Sequence, residues 1–114
     1  MASILGNFTS ETQVGTGSTS LTSTLSTEKK FIGKATFTNT SALPVEVTVW
    51  RVLTATTPTT GSGGNWLDIK TIQPSKVWEC DKLEQHVLGG LMSIYATAGT
   101  ASVINADLSG VTES

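Results

Sequence analysis

Few residues in this 114-residue chain carry side chains able to do chemistry, and their scarcity limits what that chemistry could be. The chain has one histidine, His86, and one cysteine, Cys80. A thiolate–imidazole pair would require these two to meet, yet Cys80 lacks the flanking residues of a papain-type nucleophile. The plainer reading is a histidine in a turn and a small buried thiol. One His and one Cys also fall short of the four ligands of a structural zinc site. The nine acidic residues never form the alternating Asp/Asn loop, closed by Glu, of a calcium hand. Any two of them could approach as a glycosidase pair, but their spacing singles out no pair.

Glycine does not supply a phosphate cradle either. "GSGGN" (61–65) lacks the Lys-Ser/Thr ending of a nucleotide loop and precedes a predicted strand rather than a helix. "NFT" and "NTS" match the N-glycosylation acceptor pattern, which in a chain with 20 Thr and 13 Ser reads as coincidence. Three tryptophans remain: Trp50, Trp66 and Trp78. Trp50 shares its parity with Glu46 and Thr48, so it is expected on the outward face of its strand. An outward aromatic can anchor a partner protein or stack on a sugar ring. No catalytic, cofactor-binding or metal-ligating residue is assigned, and the expected protein is a binding module, not an enzyme.

The elements that must carry such a surface are strands. Thr suits a pleated surface while Ser and Gly suit turns, and only 14% of residues are charged. Seven basic residues oppose nine acidic ones, and no Lys or Arg follows Lys82, which argues against nucleic acid as a partner. A single cysteine allows no intrachain disulfide and fits folding in a reducing cytosol. No signal peptide is expected from "MASILGNFTS", and no stretch approaches the roughly 20 apolar residues of a membrane span.

Residues 1–27 carry one charge, Glu11, and a Thr/Ser/Gly tract. Residues 1–24 are expected as an arm outside the folded domain of 25–114. They are either a flexible tail or a segment ordered on a neighbouring subunit through Ile4, Leu5 and Phe8. Phe31, Gly33, Ala35 and Phe37 alternate with Ile32, Lys34, Thr36 and Thr38, which predicts the first set on the core face. "NTSALP" is a turn, and Val45, Val47 and Val49 alternate after it, so 34–50 reads as a hairpin. "TATTPTTGSGGN" (54–65) is a long uncharged loop. In "WLDIKTIQ", Leu67, Ile69 and Thr71 alternate with Trp66, Asp68 and Lys70. Residues 81–89 fit either a capped helical turn or a short strand. Met92, Ile94 and Ala96, then Ile104, Ala106 and Leu108, mark two closing strands, with "TAGTA" as a hairpin link. The expected fold is all-β, a single β-sandwich of jelly-roll type.

The stretches "FIGKATFTNTSALPVEVTVWRV" and "GLMSIYATAGTASVINADLSGV" resemble a family of small phage virion proteins. The marks are Asn39-Thr40-Ser41, the Val/Thr strand from Val45 to Val52, Leu88-Gly89-Gly90, and Ser109-Gly110-Val111. The resemblance implies a β-sandwich that decorates (cements) a capsid or serves as a tail or neck accessory. It also implies many copies or a homo-oligomer on the virion exterior, with the major capsid protein as partner and no cofactor. The interface residues expected for such a role are Ile4, Leu5, Phe8, Trp50 and Trp66.

Overall fold

The computed structural model describes residues 3–17, 19–53, 66–84 and 86–113. These form nine strands: β1 (Ser3–Val14), β2 (Thr19–Ser23), β3 (Lys29–Asn39), β4 (Val45–Leu53), β5 (Trp66–Ile72), β6 (Val77–Glu79), β7 (Val87–Leu88), β8 (Met92–Ala98) and β9 (Ile104–Glu113). No helix occurs among the described residues, so the all-β expectation holds. The predicted loop 54–65 lies outside the described residues.

The strands form two antiparallel sheets. One runs β1-β9-β3-β6, with β7 also pairing β3; the other runs β2-β8-β4-β5. Position for position, each strand of the first path has a sequence neighbour in the second: β1 with β2, β9 with β8, β3 with β4, and β6 with β5. One apolar core is shared by both sheets. It joins Val14, Ile32, Ala35, Phe37, Ile104, Ala106 and Leu108 of the first to Leu21, Val45, Val47, Val49, Ile72, Ile94, Ala96 and Ala98 of the second.

The Thr/Ser-rich segment expected as an arm is part of this body. β1 pairs β9 from Ser3↔Glu113 to Val14↔Ile104, and β2 pairs β8. Val14 and Leu21 enter the core. The β-branched Ile4, Thr9, Thr12 and Val14 of β1, with Thr19 and Thr22 of β2, supply the β propensity. Phe8 packs half-buried against the core, and the Lys30 ammonium lies 5.1 Å from its ring centroid. The same ammonium donates to Thr22 Oγ1 (2.8 Å) and to the Ser23 carbonyl (2.7 Å), tying β3 to β2.

Neither predicted hairpin is one. β3 and β4 belong to different sheets, as do β8 and β9. Alternation shows that a strand buries one face but does not say which neighbour it pairs. Asn39 sits at the β3–β4 crossing, fully buried. Its amide donates to the carbonyls of Leu43 (2.8 Å) and Ile72 (2.9 Å), and its Oδ1 accepts from the Ser41 amide and hydroxyl. The "NTS" acceptor pattern is therefore a structural turn whose Asn side chain is fully engaged.

The face predicted for β3 is correct from Ala35 onward and inverted before it. Ile32 is in the core and Phe31 is exposed, because the pairing with β9 slips between Ile32 and Lys34. Such a bulge reverses the parity of every residue before it. Gly110 of β9 makes the close approach possible, since a Cβ there would overlap the Phe31 carbonyl oxygen. A slip beside Trp66 does the same in β5: Ile69 is exposed, while Leu67 and Ile72 pack inward. Residues 81–84 make one turn, with the amides of Leu83 and Glu84 donating to the Cys80 carbonyl, before the two-residue β7 begins. The strand reading of 81–89 thus holds over Val87–Leu88, while 81–84 form a turn and not a helix.

Candidate functional site

The two chemically reactive side chains have separate partners. Cys80 follows β6, fully buried, and its thiol is pushed up to about 11, mainly by that burial and further by Asp68 and Asp81; the Leu83 and Lys82 amides oppose the shift. A nucleophilic cysteine needs the opposite shift. His86 lies before β7, where its Nε2 accepts from Arg51 Nη1 at 2.7 Å. Burial, and then the Arg51 charge, hold its pKa below the usual value. Among the described residues there is no cluster of three or more His, Cys, Asp or Glu able to hold a metal ion.

The Cys80 shift has a pH consequence. The unfolded chain releases this proton near 9.0 and the folded protein near 11. Stability from the buried thiol is therefore complete below pH 9 and is lost as pH rises toward 11. Denaturant midpoints measured across that range should fall less steeply for Cys80→Ala than for the parent. Parallel slopes would contradict a buried neutral thiol. His86 has the reverse sign: its contribution is present above pH 6.5 and declines as pH falls.

The surface offers more than the titratable groups do. Leu5 of β1 pairs Val111 of β9, Val111 pairs Phe31 of β3, and Phe31 pairs Val87 of β7. Directly opposed residues share a face, so these four apolar side chains form one row across four strands. Lys30 and Leu88, one step along the same pair of strands, point inward: Leu88 is core and Lys30 reaches β2. The row therefore faces outward. Leu5 is 80% exposed, Val87 46% and Phe31 36%.

Two more apolar side chains project just beyond the row. Leu25, in the β2–β3 connection, and Leu91, in the β7–β8 turn, are 66% and 53% exposed. Thr24 holds their loops together: its amide donates to the Met92 carbonyl, its hydroxyl to the Gly89 carbonyl, and the Met92 amide donates to that hydroxyl. Gly90 lies so close to the Ser26 carbonyl that a Cβ would collide with it. Leu91 adopts φ 57°, a left-handed conformation that a leucine seldom takes. Of the eight large apolar side chains left exposed among the described residues, these two and Leu5, Phe31 and Val87 lie at one end of the molecule. Exposed apolar side chains gathered in this way are a mark of an interaction surface.

The interface residues expected from sequence divide accordingly. Leu5 belongs to the exposed row. Phe8 is part of the packed body, and the Ile4 side chain lies outside the described residues. Trp50 is only 1% exposed. The outward face expected for it is not an open one, because Trp50 and Val52 are both buried hydrophobic side chains and Trp50 offers no exposed ring. Trp66 pairs Trp50 in the backbone register, and its side chain lies outside the described residues. Leu25, Phe31, Val87, Leu91 and Val111 were missed. Compared with protein-family models, with curated proteins and with solved structures, the chain matches none.

Proposed function

We propose that this protein is a structural component of a phage virion, a capsid decoration (cement) protein that binds across major capsid protein subunits on the shell exterior. The observation that carries the reading is the gathering of exposed apolar side chains at one end of a two-sheet body. The strand orders support a jelly roll. With the two-residue β7 set aside, paths β1-β9-β3-β6 and β2-β8-β4-β5 are those of a β ribbon wound into two Greek keys. Viral capsid domains are among the proteins that use this winding. The sequence resemblance described above points the same way.

A cement protein needs a stiff body and a docking end, and its work requires no reaction centre. The near-balanced charge and the hydroxyl-rich surface suit a protein that stays soluble and does not adhere to packaged DNA. Many copies on one shell make modest affinity per site sufficient. The Leu25 and Leu91 tips are the proposed contact with the shell. Burying one leucine contributes about 1.5–3 kcal/mol. The Leu25→Asp/Leu91→Asp double variant should therefore lose about a hundredfold or more in affinity for expanded empty shells in co-sedimentation. Its unfolding midpoint should stay near the parent value, because both side chains are exposed and Asp tolerates the Leu91 backbone. Undiminished binding by this variant would overturn the assignment of the tips.

A further inference from the structure

We propose that the row Leu5–Val111–Phe31–Val87 binds a second copy of this chain, about a two-fold axis parallel to the strands and running between β9 and β3. The argument rests on the order of residues across the sheet. Rotation about that axis lays β3 of one copy over β9 of the other, and β1 over β7. Phe31 then meets the partner copy's row at Val111, and Leu5 meets it at Val87. The row is apolar at all four positions, so it is complementary to itself in this arrangement.

Charge selects the same axis. Lys29 and Glu113 are directly paired neighbours on β3 and β9, two residues from Phe31 and Val111 and so on the same outward face. The rotation places Lys29 of each copy opposite Glu113 of the other. On the far side of the row, Lys34 comes opposite Ser109, so no like charges meet at the positions on β3 and β9 that flank the row. The alternative two-fold, running along the row itself, would set Lys29 against Lys34. An isologous contact needs a patch that is its own complement, and only the first axis provides one.

The patch is small. Four strands at roughly 4.8 Å spacing span about 14 Å, less than the standard interface of about 800 Å² per partner requires. The dimer is therefore weak and concentration-dependent. Rotation about an axis parallel to the strands leaves the direction along them unchanged, so the Leu25/Leu91 tips of both copies emerge at the same end. The pair then presents two docking ends to one surface, and binding gains by avidity. This last step rests on the docking role proposed above; the dimer itself does not.

Sedimentation equilibrium on the full chain tests the dimer. The average mass should rise from 11.9 kDa toward twice that value with concentration. Phe31→Asp and Leu5→Asp, both at exposed positions, should hold it at one copy while leaving the unfolding midpoint close to the parent's. Lys29→Glu and Glu113→Lys should each be monomeric alone, and an equimolar mixture of the two should form a heterodimer, because every cross-copy pair is then opposite in sign. A parent chain that remains monomeric up to about 1 mM, the weakest range of specific association, overturns the proposal. So does a mixture that fails to pair. Shell binding is read separately: a dimer that ignores shells leaves this inference standing and removes the docking role. A monomeric parent that binds shells through Leu25 and Leu91 does the reverse.

Discussion

Removing residues 2–16 should abolish cooperative folding. β1 covers β9 along nearly its whole length, from Glu113 to Ile104, and its loss turns a ten-residue interior strand into an open edge. Val14 is fully buried, and its burial alone is worth about 1.5–3 kcal/mol. Phe8 leaves the core margin with it, and the Lys30 ammonium loses the ring beneath it. A domain of this kind has only about 5–15 kcal/mol in total, so these losses together consume a large part of its stability. The exposed β9 edge would also promote aggregation. Circular dichroism on heating should show a broad, early transition or none for the truncated chain. A truncated protein that melts at the parent temperature would return residues 1–24 to the status of an arm.

Phe37→Ala should cost about 3–5 kcal/mol, the range for emptying a fully buried aromatic site. Phe37 lies on β3 between Trp78 of β6 and Ala106 of β9, with no exposed surface. Its ring centroid is 5.4 Å from that of Trp78, at 31° between planes, so truncation also removes an aromatic contact. The short β6 has few other ways to stay in place, as it pairs β3 over three residues, one of them Phe37 itself. At about 4–8 °C per kcal/mol in domains near this size, Tm should fall by more than 10 °C. An unchanged midpoint would contradict the packing of this site.

Where alternation runs unbroken, the sequence was a good guide. Val45, Val47 and Val49, Ile94 and Ala96, and Ile104, Ala106 and Leu108 are all core residues, as their spacing predicted. The errors have physical causes. A bulge near Gly33 reversed the face of Phe31, and no local signal marks a bulge apart from the glycine itself. Hairpins were inferred from short connections, yet a short turn can carry the chain across to the opposite sheet as readily as back along its own. β1 and β2 were overlooked because their apolar residues, Ile4, Leu5, Phe8, Val14 and Leu21, follow no regular alternation and sit among Thr, Ser and Gly. Trp50 shows the limit of parity: expected outward from its spacing with Glu46 and Thr48, it is buried. The apolar row was the least legible feature, since residues 5, 31, 87 and 111 become neighbours only after β1, β9, β3 and β7 assemble.

The most direct test of the proposed decoration role is electron cryo-microscopy of expanded empty phage shells, imaged with and without the added protein. The account predicts new density on the outer surface, bridging major capsid protein subunits, with the Leu25/Leu91 end of the body toward the shell. Density confined to the tail or neck, or no density at saturating protein, would contradict it.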